Sequence, residues 1–147
     1  LMAATDDVAI YGPAEGWAEH RKFAQCYRGF LSTPRQLAGA YNAASVVAHI
    51  GALQMHARVL EAMACARPVL VGRSEPGFGS GFGAIGEHFT DGVHFVAFDR
   101  NDLQGKVKSL LADKCCCVAI GEQARASIVY GHLWRHRAEQ VLQDLEH

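Results

Sequence analysis

Short, mostly apolar segments alternate along the chain with longer segments in which apolar residues recur every three or four positions. The apolar segments predict four strands: VAIYG (8–12), SVVAHI (45–50), PVLVG (68–72) and VHFVAF (93–98). A further segment, YRGFL (27–31), predicts a short extended stretch. A continuous apolar strand such as PVLV is typical of a sheet that is covered on both faces.

The predicted helices lie between these strands. Ser32-Thr33-Pro34 indicates a helix start that continues through RQLAGAYNAA, because proline suits the first helical position. Further helices are predicted over HARVLEAMACA (56–66), over LQGKVKSLLAD (103–113) with capping residues from Asp99 to Asp102, and over residues 115–144. Strands that alternate with helices predict a parallel sheet, because parallel neighbours need crossover connections. We therefore expect one three-layer α/β domain over residues 1–144.

Composition and charge exclude several classes of function. The 147 residues are half apolar and carry a formal net charge of −1, so no bulk attraction to nucleic acid or anionic lipid is expected. No apolar run reaches the roughly 18 residues that a membrane span needs. Five cysteines, an odd number without a disulfide framework, predict reduced thiols in a cytoplasmic protein.

The two ends of the chain carry their own expectations. The chain opens almost directly into a strand-like segment, and it has acidic residues where a signal peptide would be positive. We therefore expect a piece of a longer protein. Residues 145–147 (LEH) resemble the start of a common expression tag and are not expected to have a function.

The glycine-rich stretch GFGSGFGAIG (77–86) contains a GxGxxG pattern at Gly81, Gly83 and Gly86, the pattern of a dinucleotide site when it joins a strand to a helix. The preceding strand, however, ends near Gly72, and the residues that follow the pattern are too few for a crossover helix of about ten residues. A dinucleotide-dependent oxidoreductase is therefore disfavoured. We expect a loop whose backbone approaches a ligand, with an unliganded surface loop as the alternative.

Three polar residues of the helix predicted over 56–66 are candidates for binding. Glu61 interrupts an apolar run, where a carboxylate buried without a partner would be costly. It either forms an ion pair with Arg58 on the same helical face, or accepts hydrogen bonds from vicinal hydroxyls such as those of a ribose. Arg58 and His56 lie at the helix start, where free N–H groups and a cation suit a diphosphate. The alternatives are the same ion pair for Arg58 and an ordinary surface position for His56.

Other reactive side chains give weaker signals. His132 and His136 are four residues apart on a predicted helix, but no third ligand has a suitable spacing, so no metal site is predicted. Cys115, Cys116 and Cys117 begin a helical segment with no evident histidine or acid beside them, so no catalytic thiol is expected.

Several motifs, taken in order and spacing, point to a known family. HARVLEAMACARPVLVG (56–72) fits a pattern R-x-x-E-A-x-A-x-G-x-P that leads into a strand, and Glu87 and HFTDGVHFVAFDRNDLQGKVKSLLAD (88–113) follow it. YRGFLSTPRQLAGAYNAASVVAHI (27–50) fits G-x-(few)-L-x-x-x-Y-x-x-A, and HLWRHRAEQVL (132–142) fits a C-terminal helix. Over about residues 8–144 the chain resembles the C-terminal half of group-1 (family 4-like) GT-B glycosyltransferases, most closely their CgeB-like (spore maturation) branch.

The resemblance implies a Rossmann-like domain that binds a nucleotide-sugar donor. Glu61 matches the acid that holds the ribose of the nucleotide sugar. Arg58, with backbone amides near His56, matches the position at which the diphosphate is neutralised.

The same resemblance assigns two further groups of residues. Glu87 and the glycines before it, Gly83 and Gly86, match the loop beside the donor sugar. Gly29 and Phe30 lie in the segment that usually borders the nucleotide base.

The resemblance also implies an activity and its partners. The activity is transfer of a sugar from a nucleotide sugar, such as a UDP- or GDP-sugar, to an acceptor hydroxyl, with no cofactor and no dedicated metal. An N-terminal GT-B domain outside this chain would supply the acceptor site, so we expect the isolated chain to bind nucleotide weakly without turnover. Leu53 replaces a second acid and Ala66 a glycine of the usual pattern. The alternative is therefore a non-catalytic α/β nucleotide-binding or interaction module that has lost transferase activity.

Overall fold

Parallel strands and helices alternate through the described part of the chain. A computed structural model describes residues 7–17, 21–49, 55–73 and 83–146. The strands are β1 (Ile10–Tyr11), β2 (Tyr27–Gly29), β3 (Val47–His49), β4 (Val69–Gly72) and β5 (Val96–Phe98). The helices are α1 (Ala14–Trp17), α2 (Pro34–Ala43), α3 (Ala57–Ala64), α4 (Gly83–Gly86), α5 (Leu103–Ala112), α6 (Lys114–Gly131) and α7 (Trp134–Leu145), with a 3-10 turn at Ala24–Cys26.

Every strand pair in the described residues is parallel, as the alternation of strands and helices predicts. β3, β4 and β5 form one sheet in that order, in which Leu70 of β4 is in register with Ala48 and Val96. β1 and β2 form a second parallel pair. Within the described ranges the strands therefore form two hydrogen-bonded groups instead of one sheet, because no backbone ladder joins β2 to β3 there.

The central strand β4 is covered on both faces, which explains its continuous apolar sequence. The side chains of Val69 and Val71 are fully buried in a cluster with Met63 of α3. On the other face, Leu70 is fully buried in a second cluster with Leu110 of α5. One helix therefore lies on each side of the sheet, and the expected three-layer α/β architecture is confirmed.

Helix α6 contributes to both clusters and depends on a close approach at Gly121. It supplies Ala124 and Ile128 to the α3 cluster and Ile120 to the α5 cluster. A Cβ atom at Gly121 would lie only 2.2 Å from the carbonyl oxygen of Ala66. Ala66 itself has φ 54°, a left-handed conformation that costs a non-glycine residue about 1–2 kcal/mol. A glycine at this position, as in the resembled motif, avoids that cost.

The strand predicted from residue 93 begins later, at Val96. Gly92 adopts φ 78°, and the amides of Val93 and His94 both donate to the carbonyl oxygen of Thr90. These hydrogen bonds close a turn, so the apolar residue at 93 lies in the turn and is exposed.

The helical segment predicted over residues 115–144 consists of two helices, α6 and α7. Leu133, between α6 and α7, has an extended backbone (φ −75°, ψ 156°), and its side chain packs against the core. The Nδ1 atom of His136 accepts a hydrogen bond from the Leu133 amide, so burial and a cap together fix the break. No helix in the described ranges is both long enough and apolar enough to cross a membrane.

Candidate functional site

An open cleft of about 190 Å³ lies where β1 and β2 end and α2 and α3 begin. Its walls combine apolar side chains, one glycine and one cation. In open parallel sheets, ligands bind beyond the carboxyl ends of the strands, which is where this cleft lies. The lining residues are Tyr11, Gly12, Pro13, Phe30, Leu31, Leu37 and Arg58.

The end of β2 turns an aromatic ring toward solvent. Gly29 has φ 105°, a conformation that glycine adopts readily and other residues rarely do. The Gly12 amide donates to the Gly29 carbonyl at 3.1 Å, and the Tyr27 hydroxyl donates to the Gly12 carbonyl at 3.0 Å, which ties the ends of β1 and β2 together. The side chain of Phe30, directly after the turn, remains 62% exposed. The described residues thus leave most of this ring uncovered.

Helix α2 leaves the cleft from a well-capped start, as its sequence predicts. The Thr33 hydroxyl accepts from the Gln36 amide at 3.2 Å, and the Gln36 side chain accepts from the Thr33 amide at 3.1 Å. Pro34 follows the cap at the first helical position. This capping box fixes where α2 begins, and so fixes Leu37 in the wall of the cleft.

Helix α3 begins with a histidine cap that directs an arginine into the cleft. The Nδ1 atom of His56 accepts from the Arg58 amide at 3.2 Å, so a neutral His56 ring carries its proton on Nε2. The ring also stacks on His49 at the end of β3, with centroids 5.3 Å apart. These contacts fix the start of α3, and its first turn brings Arg58 to the cleft beside Phe30.

Arg58 forms the ion pair with Glu61 that the sequence leaves as one of two alternatives. Arg58 Nη1 lies 2.9 Å from Glu61 Oε2, and both side chains are 45% exposed. An exposed pair of this kind contributes about 0.2–1 kcal/mol, which is a small stabilisation. Within the described ranges Arg58 engages one oxygen of this carboxylate, and the second oxygen is available to a ligand.

Tyr41 of α2, the tyrosine of the L-x-x-x-Y motif, packs against the buried cluster that contains Val59 and Met63 of α3. Burial and the Glu61 carboxylate raise the pKa of Tyr41 to about 12, while Arg58 acts in the opposite direction. The hydroxyl is therefore neutral at physiological pH. Tyr41 follows Leu37 by four residues, on the same face of α2.

The predicted donor-sugar residues occupy a different segment. Gly83 and Gly86 lie in α4, a single helical turn, instead of the loop that the sequence predicts, and Glu87 follows it and is exposed. Neither Gly86 nor Glu87 is among the described residues that line the cleft. Ile85 of α4 is buried in the same cluster as α3. Gly81 and Leu53 lie outside the described residues.

A dinucleotide site at the glycine-rich stretch gains no support. In the described part of the β4–β5 connection, the single helix is α4, with four residues. Asp99, the acid at the expected distance from the glycines, pairs with Arg73 Nη1 at 2.9 Å, and Arg73 Nη2 lies 3.2 Å from Asp91.

The histidines and cysteines of the C-terminal helices have structural contacts. His132 Nδ1 lies 3.2 Å from the Arg137 guanidinium. Burial is the larger cause that lowers the pKa of His132, and the positive charge of Arg137 is the next. Burial raises the pKa of the Cys117 thiol, which donates to the Leu110 carbonyl. Among the residues that the structure describes, no three histidine, cysteine or acidic side chains are grouped as metal ligands.

The chain is similar to one family in sequence and to several solved proteins in structure. The family described as glycosyl transferase-like matches residues 1–143. No curated protein matches. Anabaena Alr3699/HepE in complex with UDP aligns with a TM-score of 0.68 at 19% identity, over 85% of this chain and 33% of HepE. HepE in complex with UDP-glucose aligns with a TM-score of 0.55 at 21% identity, over 69% of this chain and 27% of HepE. TarM aligns with a TM-score of 0.65 at 18% identity, over 92% of this chain and 28% of TarM.

These likenesses show the fold, which is the α/β fold of GT-B glycosyltransferases. The chain spans only 27% to 33% of the length of these proteins. The family match, in contrast, extends over nearly all of its residues. The chain therefore belongs to the glycosyl transferase-like family.

Proposed function

We propose that this chain is the donor-binding half of a glycosyltransferase and that it holds a nucleotide sugar in the cleft at β1, β2 and α3. The observation that carries the proposal is that Phe30 and Arg58, from separate segments, line the same cleft. An exposed aromatic ring and a cation at one opening match the two ends of a nucleoside diphosphate. The HepE complexes contain UDP-glucose or UDP, so UDP is the first nucleotide to test.

In this proposal the nucleotide base stacks on Phe30. The ring is 62% exposed, and the other cleft residues Leu31 and Leu37 are apolar. A flat ligand can therefore bury apolar surface against the ring and against the leucines. Stacking of a base on an aromatic side chain is worth about 1–3 kcal/mol. Because every base has a π face, this contact binds a nucleotide without selecting one base over another.

The diphosphate lies against Arg58 and the first turn of α3. Arg58 keeps further N–H donors beside the one directed at Glu61, since a guanidinium has five. The helix N-terminus adds partial positive charge, and His56 Nε2 adds a donor. The free oxygen of Glu61 accepts from a ribose hydroxyl, so one carboxylate orients Arg58 and holds the sugar of the nucleotide.

These residues stabilise the leaving group of the proposed transfer. The bond between the anomeric carbon and the diphosphate oxygen breaks, and the acceptor oxygen bonds to that carbon and releases its proton. The nucleoside diphosphate leaves with the electron pair, and its growing charge faces Arg58 and the α3 N-terminus. This stabilisation requires no metal ion.

The remaining roles extend the proposal beyond the cleft. Glu87, with Gly83 and Gly86, borders the donor sugar, and Gly29 shapes the turn beside the base. Residues 1–144 form the donor domain, and an N-terminal GT-B domain supplies the acceptor site. This division is supported by a family match over residues 1–143 and by coverage of one third or less of HepE and TarM. The motif order also supports a CgeB-like enzyme, and the odd number of cysteines supports a cytoplasmic location.

Titration calorimetry on the chain tests the proposed function. UDP, GDP and NAD are titrated against the chain and against Glu61→Ala, with Glu139→Ala on α7 as a matched exposed carboxylate. UDP or GDP should bind, and Glu61→Ala should weaken binding at least about tenfold, because a charged hydrogen bond contributes about 1.5–3 kcal/mol. Glu139→Ala should bind like the parent chain.

The same titrations decide between the alternatives. No binding by any nucleotide contradicts the proposal and favours an interaction module without nucleotide chemistry. Binding of NAD alone favours the dinucleotide hypothesis. Binding that is unchanged in Glu61→Ala contradicts the role given to the carboxylate.

A further inference from the structure

We infer that the apolar face of α7 is an interface through which two copies of this chain pair, with their α7 helices antiparallel. The inference goes beyond nucleotide binding and is independent of it, because no residue of α7 is among the described residues that line the cleft. It follows from three properties of α7: an exposed apolar stripe, the spacing of that stripe, and two opposite charges beside it.

Helix α7 presents large apolar side chains to solvent. The described residues of α7 include no buried side chain. Trp134 is 86% exposed and Leu145 is 78% exposed, and Val141 and Leu142 between them are more than half exposed. Apolar side chains grouped on one face of a helix are unfavourable in water and mark an interaction site. The described part of the chain leaves this face uncovered, so a partner is expected to cover it.

The apolar stripe has the spacing of a helix that packs along another helix. Trp134, Ala138, Val141 and Leu145 follow one another at intervals of four, three and four residues, which is the repeat of paired helices. A second copy of α7 presents the same stripe over the same length, about 18 Å for its 12 residues. An interface of one short helix from each copy buries less than about 1,200 Å², so we expect a weak dimer.

Antiparallel pairing combines the side chains of the stripe better than parallel pairing does. With the two-fold axis at the middle of the helix, Trp134 of each copy meets Leu145 of the other, and Ala138 meets Val141. A parallel pair would instead place Trp134 against Trp134 and Ala138 against Ala138, which crowds one layer and leaves a gap in the next. The antiparallel pair also opposes the two helix dipoles.

Two opposite charges beside the stripe favour the same orientation. Arg137 and Asp144 each directly precede a residue of the stripe, so both lie along the same edge of it. In the antiparallel pair this edge faces itself, which brings Arg137 of each copy beside Asp144 of the other. In the described ranges, Arg137 Nη2 lies near His132 Nδ1, and Asp144 Oδ1 accepts from Gln140 at 2.9 Å. The remaining guanidinium donors and Asp144 Oδ2 can therefore form two equivalent ion pairs across the interface.

Sedimentation equilibrium on the chain, from about 10 µM to about 1 mM, tests whether it pairs. The parent chain should form a dimer within this range. Val141→Glu should weaken the dimer at least about tenfold, because it places a carboxylate in each central layer of the interface. The matched control is Val118→Glu on α6, where the parent valine is 56% exposed against 57% for Val141. The control should dimerise like the parent chain.

Charge reversal tests the antiparallel register. Arg137→Glu places two pairs of like charges in its own dimer, and Asp144→Arg does the same with the opposite sign. Each variant alone should therefore dimerise about tenfold more weakly than the parent chain. An equimolar mixture of the two variants should recover the parent affinity, because every contact in the mixed dimer again joins opposite charges. A defect in the folding of one variant cannot produce this recovery.

Three results would overturn the inference. The first is a parent chain that stays monomeric up to about 1 mM, which would leave the face to a different protein or to another part of a longer chain. The second is a dimer in Val141→Glu that is no weaker than that in Val118→Glu. The third is a mixture of the charge variants that recovers no affinity. None of these measurements uses a nucleotide, so they decide the inference whether or not UDP binds.

Discussion

Replacement of Gly121 by alanine should destabilise the chain even though alanine is the better helix former. Gly121 lies inside α6, where Gly→Ala normally stabilises a helix by about 0.5–1 kcal/mol. Here the added Cβ would lie 2.2 Å from the Ala66 carbonyl oxygen, 2.7 Å from its carbon and 3.3 Å from the Arg67 nitrogen. All three are backbone atoms, so no side-chain rotation can relieve the overlap.

The magnitude follows from what must move. An ordinary contact needs 3.4 Å or more, so α6 and the Ala66 turn must separate by about 1 Å. The separation loosens Ile120, Ala124 and Ile128, which are 5%, 0% and 2% exposed. Overpacking of a core costs about 1–3 kcal/mol, and the gain in helix propensity offsets part of that cost. The net expectation is a loss of about 1 kcal/mol in the free energy of unfolding.

Urea unfolding followed by circular dichroism measures this change. The control is Gly105→Ala in α5, where a Cβ would meet no described atom within 4 Å outside the backbone of its own helix, and it should gain up to about 1 kcal/mol. A midpoint for Gly121→Ala at or above that of the parent chain would refute the steric explanation. A change in the slope m, with the same midpoint, would indicate an altered unfolded state instead.

Two further predictions concern backbone strain and pH. Ala66→Gly should stabilise the chain by about 0.5–1 kcal/mol. The reason is that the strain energy relieved at the left-handed φ exceeds the free-energy cost of the more flexible unfolded chain. A lower melting temperature would contradict this prediction. Burial and Arg137 lower the pKa of His132 below its usual 6.5, so the unfolded chain takes up this proton more readily. The His132 contribution to stability should be complete above pH 6.5 and should decline as the pH falls below it. Urea unfolding at a series of pH values should show that the free energy of unfolding declines less in His132→Gln than in the parent chain. An identical decline in both would show that His132 is not the group responsible.

The elements of the fold could be predicted where the sequence carries a local signal. Thr33, Pro34 and Gln36 encode the start of α2 through a cap, and the apolar run of β4 encodes burial on both faces. The division between α6 and α7 could not be predicted in this way. It depends on the burial of Leu133 against the distant core, which local helix propensity does not report.

The site shows the same division between local and long-range information. Arg58 and Glu61 are three residues apart, so helix geometry alone predicts their ion pair. The meeting of Arg58 with Phe30 depends on how two segments pack, and no spacing along the chain encodes it. Only the resemblance to glycosyltransferases placed Phe30 and Arg58 in one site.

The most direct test of the central claim is to map where UDP binds on the ¹⁵N-labelled chain by amide chemical shifts. We predict that the largest shifts on saturation fall on Phe30, Leu31 and Arg58, and that Phe30→Ala weakens binding. Shifts centred on Gly83–Gly86 and Asp99 would contradict the claim and would favour a site at the glycine-rich stretch. The absence of any shift at millimolar UDP would contradict nucleotide binding by this chain altogether.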